Sequence, residues 1–99
     1  MNIVAVTSCP TGVAHTYMAA ERLERAARKL GYTIKVETQG AMGIENELTT
    51  EDIAGAQVAV LAAAVPVRNP ERFAGLRIVE VSVGEAIKNA EGILAGLGR

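Results

Sequence analysis

Two stretches of this chain are apolar with almost no interruption. One is Ile3-Val4-Ala5-Val6-Thr7. The other follows Gln57 and runs Val58-Ala59-Val60-Leu61-Ala62-Ala63-Ala64-Val65. Apolar runs without alternation predict strands covered on both faces, at the centre of a sheet. Thr33 to Thr38 alternates instead, with Ile34 and Val36 on one side and Lys35 and Glu37 on the other, which predicts an exposed edge strand. Arg77 to Val81 predicts a fourth, shorter strand.

Between these strands the period changes to that of a helix. Ala14 to Leu30 reads as a helix, and an apolar stripe recurs at Val13, Tyr17, Ala20, Leu23, Ala27 and Leu30, with charged residues opposite. Glu21 with Arg25 and Glu24 with Arg28 stand four apart in the favourable order, and Gly31 is the expected left-handed stop. Thr49 with Asp52 predicts a capping box for a short helix through Ile53 and Ala54. Ser82 with Glu85 predicts a second box, opening a last helix striped by Val83, Ile87, Ala90 and Leu94. Pro66 and Pro70 bracket a loop, Glu71 to Ala74 predicts a helical turn, and Leu97-Gly98-Arg99 is expected to fray. Gly40 and Gly43 mark a tight loop between Gln39 and Glu47.

Strands alternating with helices predict an α/β fold: a three-layer, Rossmann-like arrangement with a four-stranded parallel sheet and helices on both faces. The expected strand order is 2-1-3-4. It puts a topological switch point between the first and third strands, above the loop that follows the first strand.

Length and charge narrow the function classes. The 99 residues suit one domain, 1–99. A formal net charge of -1 gives no nucleic-acid footprint. A single cysteine excludes an internal disulfide and points to a reducing, cytosolic setting. No apolar run reaches membrane-spanning length, so no direct membrane insertion is expected. Met1-Asn2 leads straight into the first strand, so no signal peptide is expected either.

The candidate chemistry lies in the turn from the first strand to the first helix, Ser8-Cys9-Pro10-Thr11-Gly12-Val13-Ala14-His15-Thr16, which holds the only cysteine and the only histidine. Helix N-terminal amides and dipole attract anions there and favour a thiolate over a thiol. Pro10 stiffens the loop and Gly12 permits close backbone approach. The amides of Thr11 to His15, with the hydroxyls of Ser8, Thr11 and Thr16, are candidates for an anion nest. Cys9 is the candidate nucleophile, against the alternative of a small buried hydrophobe. His15 either offsets the charge of a bound phosphoryl group or bonds a carbonyl in the first helical turn. One Cys and one His without spaced partners give no metal site. Gln39, Gly40, Arg68 and Arg72 follow strands that end beside Cys9. They are candidates for the rim of the site, with the two arginines either plain surface charges or contacts for a phosphate or an acidic partner.

The run from Cys9 to Thr16 resembles the fructose-type IIB domain of the bacterial phosphoenolpyruvate-dependent sugar phosphotransferase system. The likeness extends over nearly the whole chain. Met18-Ala19-Ala20-Glu21, Lys35-Val36-Glu37-Thr38-Gln39-Gly40, Leu48-Thr49 with Asp52-Ile53, and Arg72-Phe73-Ala74-Gly75 follow in the family's order. The resemblance implies a phosphocysteine relay without a cofactor. A IIA domain carrying phosphohistidine donates to Cys9, which passes the phosphoryl group to fructose entering through the membrane IIC domain. It also implies a cytoplasmic location at the inner face of the membrane. The chain departs from the pattern at Ala62-Ala63-Ala64, where the family often ends the strand Ala-Asp, and at Leu76, where a lysine is common. Two other classes compete. A cysteine-dependent phosphatase uses Cys-x5-Arg, and the sixth residue after Cys9 is His15 instead. A regulatory module would hold a phosphoryl group or an oxidation on Cys9 without passing it on.

Overall fold

The computed structural model describes residues 1–9, 13–40 and 43–98. Expected nest residues Pro10, Thr11 and Gly12 lie outside these. β1 (Asn2–Ser8) leads to α1 (Val13–Leu30), β2 (Thr33–Gly40), β3 (Gly43–Glu45) and α2 (Thr50–Ala54). β4 (Val58–Ala63), a 3-10 turn (Pro70–Phe73), β5 (Arg77–Val81) and α3 (Val83–Gly96) complete the chain.

The sheet is five-stranded and mixed, in the order β3-β2-β1-β4-β5, which corrects the expected four parallel strands. β1 runs parallel to β2 and β4, and β4 parallel to β5. The added strand, β3, pairs antiparallel with the end of β2, and Gly40 faces Gly43 across the hairpin. Gly43 takes φ +93°, a conformation glycine adopts without strain. Three residues at a glycine-bounded hairpin carry too little alternation to announce a strand.

Period-two alternation in the central strands builds two cores. Ile3, Ala5, Val58, Val60 and Ala62 pack under α1 and α3 with Leu23, Ala27 and Leu94. Val4, Val6, Ala59 and Leu61 face the other way, onto Leu48, Ala56 and Phe73 from the α2 and 3-10 segments. Both expected capping boxes form, Thr49 with Asp52 and Ser82 with Glu85. Gly31 stands at φ +78° after α1, as a left-handed stop requires.

Three further expectations are corrected. Tyr17 is 41% exposed and its hydroxyl donates to Glu45 on β3 rather than packing in the helix stripe. α1 instead buries Thr16, Ala19, Ala20, Leu23, Ala26 and Ala27. Leu97 does not fray: it is buried, and its carbonyl accepts from Arg77 Nη1 at 3.1 Å. The end of β2 is no exposed edge, because Glu37, Thr38 and Gln39 are all buried.

Candidate functional site

Parallel strands end together, so β1, β2 and β4 all deliver their C-terminal residues to one end of the sheet. There a cleft of about 330 Å³ opens, lined by Ser8, Cys9, Gln39, Gly40, Val65, Pro66 and Arg68. Cys9 follows the last residue of β1. It packs against the α1–α3 core and is 6% exposed, yet it borders this cleft. It thus stands at the junction of apolar core and open space.

α1 begins four residues after Cys9 and carries no acidic residue in its first turn. The first amides of any helix lack an internal acceptor, which favours an anion at such an end. Ala14 and His15 are exposed on that turn and Thr16 is buried. Thr7 Oγ1, fully buried in β1, donates to the Thr16 carbonyl at 3.1 Å, which ties the start of the helix to the end of the strand. Gly40 comes close from the other side. A Cβ there would stand 3.6 Å from Thr16 Oγ1 and 4.0 Å from the Cys9 carbonyl.

The rim candidates divide. Gln39 and Arg68 line the cleft; Arg72 is drawn away from it, its guanidinium gripping Glu37. Nη1 donates to Glu37 Oε1 at 2.8 Å and Nη2 to Oε2 at 2.6 Å, a two-pronged bond in fork geometry. Glu37 also accepts from the Leu48 amide at 3.0 Å and from Gln39 Nε2 at 2.6 Å. Gln39 turns its oxygen to the Arg68 amide at 2.8 Å. Burial pushes the Glu37 carboxyl up, but the bonds from Arg72, Leu48 and Gln39 together outweigh it and hold the group below its ordinary value. The same bond raises Arg72.

Glu37 is the residue that the sequence pattern missed. It occupies a polar position of an alternating strand, and its partner lies 35 residues away, so nothing local marks it as buried. Val65 and Pro66 were likewise not singled out as lining, whereas Ser8, an expected hydroxyl donor, does line the cleft. Among the described residues no three metal-ligating side chains gather, and no helix is long and apolar enough to cross a membrane.

Known proteins share this arrangement. The chain is 54% identical over 93 residues to the "PTS system fructose-like EIIB component 2" of Escherichia coli K12, covering 94% of this chain and 88% of the relative. It is 50% identical over 92 residues to the 2-O-alpha-mannosyl-D-glycerate-specific EIIABC component of the same organism, covering 93% of this chain and 14% of that longer protein. A crystal structure of a domain from the fructose-specific IIABC component of Borrelia burgdorferi superposes with a TM-score of 0.90 at 53% identity, over 94% of this chain and 88% of that one. The family described as "PTS system, Lactose/Cellobiose specific IIB subunit" matches residues 4–95. The chain therefore belongs to the IIB family of the sugar phosphotransferase system, whose members are phosphotransferase components of sugar uptake.

Proposed function

We propose that this chain is a single IIB domain that carries a phosphoryl group on Cys9 during uptake of a fructose-like sugar. The observation that supports this best is the position of Cys9, at a strand end, on an open cleft and just ahead of a long helix with no acidic residue in its first turn. Each feature favours an anion, and together they favour a thiolate that meets a phosphoryl group.

The donor in this reading is phosphohistidine on a IIA domain. Cys9 Sγ attacks phosphorus in line as the P–N bond breaks; the electron pair stays on the imidazole nitrogen, which takes a proton. The first-turn amides of α1, including those of Ala14 and His15, hold the equatorial oxygens. By sequence, Pro10, Thr11, Gly12, Val13 and Thr16 are the remaining candidates for the phosphoryl-binding loop. His15 balances the gathered charge. In the second step a sugar hydroxyl oxygen attacks phosphorus, the S–P bond breaks, and the thiolate leaves with its electron pair while the hydroxyl proton passes to solvent.

The acceptor is a sugar held by a membrane IIC domain, so the protein works on the cytoplasmic side of a bacterial membrane. The fusion of similar domains into EIIABC chains supports IIA and IIC as its partners. Fructose is the sugar favoured by the fructose-like relatives, at 54% identity, whereas a relative at 50% identity is named for 2-O-alpha-mannosyl-D-glycerate. That contrast supports a choice of sugar made in the membrane domain.

Labelled phosphoryl group on a IIA protein tests the reading. Label is expected on Cys9 and is expected to chase onto sugar when IIC membranes are added. Cys9→Ser is expected to lose both. Label that never leaves the protein would favour a regulatory module, and steady release of phosphate a phosphatase.

A further inference from the structure

Resting on that reading, we infer that Gln39, braced by the Glu37–Arg72 ion pair, is a positioning residue that holds the Val65–Arg68 segment as one wall of the Cys9 cleft. The reason begins with what that wall lacks. Val65 and Pro66 line the Cys9 cleft on one side and a second cavity of about 440 Å³ on the other. Val65 is 39% exposed, and of this segment only Val67 packs, half-buried against the core that holds Phe73, so the segment gains little from packing on its cleft side. Bonds at its ends fix what that single apolar anchor leaves free.

At one end β4 leads into it, and the Ala64 amide is held by the Ser8 carbonyl at 2.9 Å. At the other end the Arg68 amide donates to Gln39 Oε1, and Gln39 Nε2 approaches the Arg68 carbonyl at 3.5 Å. Asn69, the next residue, holds the left-handed conformation at φ 53° and ψ 51°. Its carbonyl accepts from Arg72 Nε at 3.1 Å. One guanidinium thus fastens this turn with Nε and grips Glu37 with both Nη atoms.

Gln39 is itself fixed by Glu37, since an amide with one end on a buried carboxylate has a single useful orientation. It is the one member of the network, besides Arg68, that also lines the cleft. The bonds run from the 3-10 turn through Glu37 and Gln39 to the wall facing Cys9. Arg68, exposed and in no ion pair among the described residues, is thereby carried at the mouth of the cleft.

The experiment uses the full chain with a phosphorylated IIA protein, below the melting range, with folding checked by circular dichroism. Wild type and Cys9→Ser come first; label on Cys9→Ser would sink the phosphocysteine reading whatever the other variants do. Gln39→Leu keeps the buried volume but loses all three bonds, to Glu37 and to the Arg68 amide and carbonyl. Its transfer rate at saturating donor is expected to fall at least about tenfold, because small misplacements at a reacting centre are costly. The half-saturating donor concentration should move less than twofold, and the Arg68 amide should lose protection from hydrogen exchange. Gln39→Asn keeps an amide with the same donor and acceptor on a shorter stem and leaves the Glu37–Arg72 pair intact; it should lose less of the rate than Gln39→Leu. A folded Gln39→Leu that transfers within twofold of wild type overturns the inference. So does a folded Gln39→Asn that protects the Arg68 amide yet stays as slow as Gln39→Leu.

Discussion

Lys35 and Glu37 stand two residues apart on the same face of β2, and each forms an ion pair with the segment that covers that face. The pairs are otherwise unlike. Lys35 Nζ meets Asp52 Oδ2 by one contact of 2.8 Å, with the two side chains 33% and 29% exposed. Glu37 meets Arg72 by two contacts, with Arg72 18% and Glu37 0% exposed, and it takes two more donors besides. Asp52 already closes the capping box of α2 by accepting from the amide of the N-cap, Thr49, so its pair adds to a helix start that is fixed by other bonds. Glu37 has no such duplicate. Where water reaches a pair the pair is replaceable; where water is excluded, removing one partner strands the other.

The largest effect should come from breaking the buried pair on one side. Glu37→Leu leaves the Arg72 guanidinium, the Leu48 amide and the Gln39 amide without their acceptor, and is expected to cost about 3 kcal/mol in urea unfolding. Adding Arg72→Met should recover part of that loss, since it removes the stranded guanidinium but leaves the Leu48 and Gln39 amides without the carboxylate. The double variant should nevertheless stay slow in phosphoryl transfer, because the brace on Gln39 is gone. Recovery of both properties together would erase the distinction between holding the fold and holding the cleft.

Acid should separate the two pairs next. Glu37 titrates below its ordinary value in the folded protein, and Asp52 is lowered to about 2 by the Lys35 ammonium and the bonds to Thr49. A carboxyl with a lowered folded value contributes fully above its unfolded pKa, near ~4. It loses that contribution as pH falls through the folded value. Unfolding free energy is therefore expected to drop below about pH 4, and Glu37→Gln should flatten that limb. Molar salt should erode the Asp52 share, which faces water, and leave the Glu37 share nearly intact. An acid limb that is identical in Glu37→Gln and wild type would mean that Glu37 is not held charged by its neighbours.

The contrast also explains what the sequence could and could not disclose. β1 and β4 were legible because burial on both faces leaves an unbroken apolar run. Both capping boxes were legible because their partners stand three residues apart. The difference between Lys35 and Glu37 was not, since alternation reports a polar face and not what covers it. That cover comes from Arg72 and Leu48, far along the chain. β3 escaped because three residues fall short of a period. Tyr17 fitted the helical stripe but faces outward to Glu45, and the stripe was filled by small alanines and a threonine instead. Cys9 was legible by its neighbours in sequence; the cleft beside it was not, because its other walls come from the ends of β2 and β4.

The smallest effect is expected at Lys35, and it is the sharper test for being small. Lys35→Met removes the ammonium but leaves Asp52 its bond from the Thr49 amide at 2.8 Å, and leaves the Thr49 hydroxyl its bond from the Asp52 amide at 3.1 Å. The helix start therefore keeps both halves of its box, and the freed carboxylate stays in contact with water. The thermal midpoint is expected to fall by less than a third of the fall in Glu37→Leu, and phosphoryl transfer should stay at the wild-type rate. A loss as large as that of Glu37→Leu would show that α2 is held down by the ion pair and not by its cap. The two pairs would then differ only in their exposure, and exposure would not be what decides their worth.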